Sequence, residues 1–358
     1  EILNDENMGD QFTTIRLLSH QLIQPGFDKP KELVDWMGAI QAQDYTMAKW
    51  AVGIRLKAAT DSLVEEAFNR GDFLRTHVLR PTWHFVSAAD IRWMLKLSAQ
   101  RIKASSFSRD RDLGITEDLY THVNNLLEKI LRDNNYLTRE EIGNRLEKTG
   151  ILVNSSRLVH FMMRAEVEAI VCSGPAKGKK QTYALLDERI PSAKDLGKEE
   201  ALEKLARKYF QSHSPAGLQD FVWWSGLSVT EAREGIKLIE KELIKGFFPD
   251  PNLLMHQSFA TEMNLTESIH LLPAFDEYLI SYKDRTTVLD LEHHPKAFTK
   301  NGSFFPVIAY NGKVIGRWNK AVRKKQTILA PTFFTDVSAI ERAKIEEVGM
   351  LYRYFLDH

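Results

Sequence analysis

The sequence predicts an α+β fold, mainly α, made of three tandem winged-helix domains with β-ribbon wings and a C-terminal β-rich and helical extension. Three observations carry this. Segment 115–190 reads as three amphipathic helices followed by two short β-branched or aromatic runs around a glycine-containing turn. The same succession recurs from residue 198 and, more loosely, from residue 11. A chain of 358 residues also exceeds one typical domain and suits two or three. The expected domains are 1–112, 113–192 and 193–358.

In the N-terminal domain, helices are expected over 11–24, 31–43 and 61–70, then strands on either side of Arg80 and Pro81 in "FLRTHVLRPTWHFVS". In the central domain, "ITEDLYTHVNNLLEKILRD" is amphipathic. "LTREEIGNRLEKTG" carries Thr138 as N-cap, Glu141 as its capping-box partner and Gly150 as a stop. "NSSRLVHFMMRAEVEAI" begins at an Asn154 or Ser155 cap, and "IVCSGP", the basic tip "AKGKK" and "QTYALLDER" form the ribbon. In such a module the third helix is the one expected to enter a major groove, while the ribbon tip touches backbone.

The C-terminal domain repeats the pattern with "GKEEALEKLARKYFQSHSP", "AGLQDFVWWSG" ending at Gly226, and "SVTEAREGIKLIEKE" capped by Ser228. "SIHLLPAFDEYLISY" and "FFPVIAYNGKVIGRW" follow; Asn311-Gly312 in the latter is a two-residue hairpin signal. A last helix is expected over 337–355.

Hydrophobic residues at 43% and charged residues at 27% are the proportions of a globular protein with sizeable cores, which argues against disorder. The single cysteine, Cys172, excludes an intramolecular disulfide and a thiolate metal site, and suits a reducing cytosol. No apolar run is long enough to span a membrane, and the start "EILNDENMGDQF" lacks signal-peptide character, so a cytoplasmic chain is expected. Lysine plus arginine equals aspartate plus glutamate, 48 against 48, which gives no overall basic footprint for nucleic acid. Positive charge is local instead, in "AKGKKQTY" and "NKAVRKKQT".

Gln41 and Gln43 in "MGAIQAQDYTMAKW" pose a physical question. Gln41 follows Val34 by seven residues and Met37 by four, which sets it on the apolar stripe of the expected helix. A buried amide without partners is costly, so Gln41 is either tied to backbone groups or faces a pocket. Residues two apart diverge on a helix and share a side on an extended segment. Convergence of the two amides therefore requires the helix to end or distort near 41–44. Asp44 is read as the cap of the next helix rather than as a general base.

In "RTHVLRPTWHF", Arg75, Arg80 and His84 are candidates for phosphate or pocket contacts, and Trp83 either stacks on a base or belongs to the core. His77 and His84 stand apart from carboxylates and cysteines, so no metal site is expected. His293-His294 reads as a surface turn. Asp276 and Glu277 of "FDEY" are the alternative source of a catalytic carboxylate, set against a structural ion pair with Lys283 or Arg285. No phosphate-cradling glycine loop, nucleophile elbow or zinc spacing occurs, and no cofactor is expected.

"LLSHQLIQP" leading to "MGAIQAQDY", "LRTHVLRPTWHFVSAADIRWM", "LARKYFQSHSPAGLQDFVWWSGLS", "LLPAFDEYLISYKDR" and "NGSFFPVIAYNGKVIGRW" together resemble the winged-helix DNA-binding family that includes the AlkZ and YcaQ DNA glycosylases. The resemblance runs in the same order over nearly the whole chain. It implies three winged-helix domains around a DNA-binding channel and removal of alkylated purines, in some members with unhooking of interstrand crosslinks. The family signature, glutamine, an aliphatic residue, then glutamine or aspartate, falls on "QAQ" and so on Gln41 and Gln43.

The implied chemistry is consistent with amides. A purine alkylated at N7 is already cationic and leaves neutral without an acid, so the protein need only position water and stabilise an oxocarbenium-like sugar. The resulting expectation is a monofunctional glycosylase on double-stranded DNA, with no obligate protein partner. Phosphate contacts are expected from Arg157, Lys177, Lys179, Lys180, Arg323, Lys324 and Lys325. The alternatives are a noncatalytic DNA-binding protein or regulator, with the glutamines in interhelical hydrogen bonds, and winged helices used for protein contacts.

Overall fold

The computed structural model describes residues 5–192, 195–260, 267–323 and 326–358. The chain divides into two compact units, one made of Glu1–Glu65 with Leu202–His358 and the other of Glu66–Ala201. These boundaries differ from the ones expected at 112 and 192.

The chain opens with α1 (Asp5–Ser19), α2 (Pro30–Met37), β1 (Ile40–Gln41), α3 (Tyr45–Gly53) and α4 (Asp61–Arg70). The helix expected over 11–24 stops early because Gln21 takes φ +58. The Gln21 N–H returns to the Leu18 carbonyl and the Leu22 N–H to that of Leu17, the paired closure of a left-handed helix stop. The helix expected over 31–43 is likewise corrected. It begins on Pro30, where a missing N–H costs nothing, and ends at Met37. Gly38 then adopts φ +74 with its N–H on the Asp35 carbonyl. Leu33, Val34 and Met37 form the buried stripe, but Gln41 lies beyond it on extended backbone.

The Glu66–Ala201 unit starts with the hairpin β2 (Phe73–Val78) and β3 (Thr82–Ser87), antiparallel from Phe73↔Ser87 to Val78↔Thr82. Next comes α5 (Ile91–Asp112), a long helix that the sequence pattern does not single out. It is followed by α6 (Glu117–Leu131), β4 (Leu137–Thr138), α7 (Arg139–Glu147) and α8 (Ser155–Val167). β5 (Val171–Ser173), β6 (Thr182–Leu185) and the single turn α9 (Leu186–Arg189) complete it. Thr138 and Glu141 make the expected capping box, and Asn154 rather than Ser155 caps α8. Val123, Leu127, Ile142, Leu146, Phe161 and Val171 form the core, with Trp83 packed on it from the hairpin.

The chain returns to the first unit with α10 (Lys198–Ser212), β7 (Ala216–Gly217), α11 (Leu218–Ser225), α12 (Val229–Leu238), β8 (Leu243–Lys245) and β9 (Leu253–His256). The sheet β4-β6-β5 and the sheet β7-β9-β8 have equivalent strand orders on equivalent successions of helices. In each, the added strand is a two-residue piece just before the second helix. β10 (Ile269–Leu272), α13 (Glu277–Ile280), α14 (His294–Ala297), β11 (Val307–Tyr310), β12 (Lys313–Arg323), β13 (Gln326–Phe333) and α15 (Ala339–Asp357) follow. β10 to β13 pair antiparallel in chain order. Asn311 and Gly312 turn β11 into β12 at φ +47 and +79, the double positive φ of a tight hairpin. α15 packs on this sheet through Tyr352, which meets Trp318 and Trp50 edge-on.

Candidate active site

The break after Gly38 places Gln41 on β1 and Gln43 two residues on, just before Asp44. Gln41 is buried, whereas Gln43 is exposed. Asp44 caps α3 by accepting the Met47 N–H at 3.1 Å, as read from the sequence. The main chain of Gln41 is anchored from far along the chain, since its N–H donates to Glu277 Oε1 at 2.6 Å. The other carboxylate oxygen of Glu277 accepts from Trp224 Nε1 at 3.2 Å and from the Ser281 hydroxyl, with His213 Nε2 at 3.7 Å. Glu277 is 1% exposed. A buried carboxylate is tolerable only when its lone pairs are taken up in this way.

Asp276, next to it, ends in a different arrangement from the pair expected with Lys283 or Arg285. Its partner is Arg55 of the segment following α3, which meets it bidentately at 2.7 and 2.9 Å. The same guanidinium donates to the carbonyls of His20 and Ala51. Arg285 instead donates to the Leu279 and Lys283 carbonyls. Burial holds His213 and His20 below the ordinary histidine range; for His213 it outweighs Glu277. Lys49, also buried, has its ammonium between Asp61 at 2.6 Å and Glu65 at 2.7 Å.

The candidates of the β2–β3 hairpin lie in the other unit. The Arg75 guanidinium stacks on Trp83 at 4.1 Å, and the His77 ring meets Trp83 at 4.2 Å. His77 has a carboxylate after all: Glu166 Oε2 accepts its backbone N–H at 2.9 Å and lies 2.6 Å from its Nδ1. Isolation along the chain was not isolation in space. His84 is fully buried, with Nδ1 2.9 Å from the Thr82 carbonyl, and Arg80 lies in the turn between the strands. No group of three or more metal-ligating side chains occurs among the described residues. His293 is buried, which corrects the surface turn expected there.

Of the basic candidates, Lys177 and Lys180 at the ribbon tip pair with Glu141 at 2.7 Å and Glu140 at 3.2 Å, and Lys179 is exposed. Arg157 is turned inward. Its guanidinium donates to the Leu113 and Gly114 carbonyls and the residue is 8% exposed, so it is part of the packing between α5 and α8. Arg323 ends β12, while Lys324 and Lys325 lie outside the described residues. Sequence reasoning missed Arg55, Glu166 and the anchoring role of Glu277. Only Glu277 had a signal, its carboxylate in "FDEY".

No helix among the described residues is long and apolar enough to cross a membrane. A comparison with curated proteins finds no match. Among solved structures, Streptomyces sahachiroi DNA glycosylase AlkZ has a similar fold, with a TM-score of 0.80 over 97% of this chain and 96% of that one at 21% identity. The family model described as DNA glycosylase AlkZ-like matches residues 34–355. That match takes in the glutamine pair, the hairpin, the β4-β6-β5 and β7-β9-β8 sheets and the C-terminal sheet, and the chain belongs to the AlkZ-like family of DNA glycosylases.

Proposed function

We propose that this chain is a monofunctional glycosylase that hydrolyses the N-glycosidic bond of cationic, N7-alkylated purines in double-stranded DNA, crosslinked adducts included. Gln41 and Gln43 hold the attacking water and turn amide oxygens toward the developing sugar cation. The observation that carries the reading is the Gly38 stop followed by the Glu277 anchor on the Gln41 N–H. Extended backbone at Ile40–Gln41 takes Gln41 off the helical stripe, and the bend at Gln43 carries the second amide to the exposed side. Neither amide can protonate a leaving group, so neutral or normal bases are poor substrates. Lys49, the lysine nearest in sequence, is engaged by two carboxylates. That supports an abasic site as product rather than Schiff-base strand cleavage.

The proposed domains are 1–112, 113–192 and 193–358, each a winged helix. The equivalent strand orders β4-β6-β5 and β7-β9-β8 support this for the last two. Phosphate contacts are assigned to Arg80, Lys177, Lys179, Lys180, Arg323, Lys324 and Lys325; His84 is left out because it is fully buried, and Arg75 because its guanidinium lies on the Trp83 ring. Arg157 is omitted because its guanidinium is committed to carbonyls.

The test is incubation of wild type and Gln43→Ala with duplex DNA carrying N7-methylguanine, quantifying free base, abasic sites and strand breaks before and after alkali. Wild type should release the base without breaking the strand. The variant should lose roughly a hundredfold in rate while keeping its affinity for duplex. Full release by the variant, or none by wild type on either this lesion or a bulkier cationic adduct, defeats the proposal.

A further inference from the structure

In the Glu66–Ala201 unit, the β2–β3 hairpin, the start of α7 and the β5–β6 ribbon enclose a pocket of about 460 Å³, lined by Arg75, Trp83, Arg139, Glu140, Lys180 and Tyr183. That volume falls in the range of small-molecule sites. Three of these side chains are cations and one is a carboxylate, Glu140, which lies 3.2 Å from Lys180. Arg139 is exposed and has no ion-pair partner among the described residues. The Arg75 guanidinium is backed by the Trp83 indole. A guanidinium plane held against an aromatic ring is a platform on which an unstacked base can lie.

Tyr183 supplies an independent sign of a ligand. It is 6% exposed and lines the pocket, yet its hydroxyl has no hydrogen-bond partner among the described residues. Burial pushes its pKa up, opposed by nearby Arg139 and Arg75, so the group is a neutral donor. The hydroxyl opens onto the pocket, where a ligand acceptor can take the place of the water that otherwise meets it. The pocket thus combines cations, a flat stacking face and one hydroxyl without a protein partner among the described residues. Inorganic phosphate would leave the platform unused, and an apolar ligand would strand the cations.

We propose that this pocket receives a single unpaired nucleotide, with its phosphate on Arg139 and Lys180, its base on the Arg75 plane backed by Trp83, and a base-edge acceptor on the Tyr183 hydroxyl. The assignment rests on the DNA-binding reading above and deepens it. It gives the protein a site for a nucleotide displaced from the helix.

The experiment measures anisotropy of a labelled duplex, fully paired or with one extrahelical base, against wild type, Tyr183→Phe and Arg139→Ala, with dAMP as competitor. Wild type should prefer the bulged duplex by roughly tenfold, the scale of one stacked base. Tyr183→Phe should cut that preference by about threefold or more, with paired-duplex affinity and melting temperature unchanged, and Arg139→Ala should also reduce it. Displacement of the bulged duplex by dAMP supports a site for the nucleotide itself; bulge preference without displacement supports one for a nucleotide within a strand. Equal wild-type affinity for both duplexes, or a preference that survives both substitutions, overturns the proposal. Release of N7-methylguanine from the same preparations keeps the readings apart. Bulge preference without base release defeats only the glycosylase reading, and base release without bulge preference defeats only this one.

Discussion

The Arg55–Asp276 pair of the glutamine unit and the Lys177–Glu141 and Lys180–Glu140 pairs of the ribbon unit are alike in chemistry and distance. Their surroundings differ completely. Arg55 and Asp276 have side chains 1% and 2% exposed, while those of Lys177 and Lys180 are 61% and 68% exposed. Water and salt screen the exposed pairs, which exchange readily for other partners such as a phosphate. The buried pair has no such alternative. It holds the "FDEY" turn, and that turn sets Glu277 against the Gln41 backbone. Charge in one unit acts by fixing a frame, and in the other by remaining available.

The sharpest way to break this contrast is to remove one cation from each kind of pair. Arg55→Ala leaves Asp276 buried and uncompensated, with an expected loss of about 3–5 kcal/mol in chemical denaturation. Lys180→Ala should stay within about 0.5 kcal/mol of wild type and weaken DNA affinity instead. Comparable stability losses from the two would show that burial does not separate them.

Acid should find the same frame. His270 on β10 is pushed down to about 4 by burial first and then by Arg55. Its folded pKa lies below the ordinary 6.5, so between these values the unfolded chain binds more protons. Its contribution is then complete above pH 6.5 and is lost as pH falls toward 4. The shift corresponds to roughly 3 kcal/mol over the full window. Denaturation midpoints should fall between about pH 7 and about pH 4.5, and His270→Gln should flatten the profile. An unchanged slope in that variant would remove His270 from the account. His20 and His213, also lowered by burial, belong to the same unit and act in the same direction.

These two regions are unequally legible in the sequence. Local devices can be read directly: the Thr138–Glu141, Ser228–Glu231 and Ser338–Glu341 boxes are where a serine or threonine three residues before a glutamate places them. The Asn311-Gly312 turn belongs with them. Apolar spacing overextends α2 because it continues through Ile40 and Gln41, and that periodicity outweighs the stop signal of Gly38. The glutamine frame rests on contacts 221 and 236 residues apart. Nothing in the spacing of "FDEY" distinguishes Arg55 from the nearer Arg285. Arg75, Trp83 and Lys180 stand out singly, but β4, whose two residues give no periodicity, lies next to Arg139 and Glu140 at the start of α7. Arg139 and Tyr183 therefore carry no signal of their own.

Thr138 gives the smallest and most local prediction, because it ends β4, caps α7 and lines the pocket. Its hydroxyl accepts the Glu141 N–H at 3.2 Å, and its own N–H donates to Glu141 Oε2 at 2.7 Å. Thr138→Ala removes the first of these bonds and leaves the second, so the helix end loses one partner while its fold is kept. The expected cost is about 1 kcal/mol, with Thr138→Ser restoring most of it. Since no charge is removed, duplex affinity should hold while stability falls, the reverse of Lys180→Ala. If Thr138→Ala instead abolished DNA binding with little loss of stability, the ribbon unit would depend on its backbone frame as strongly as the glutamine unit does, and the contrast between them would fail.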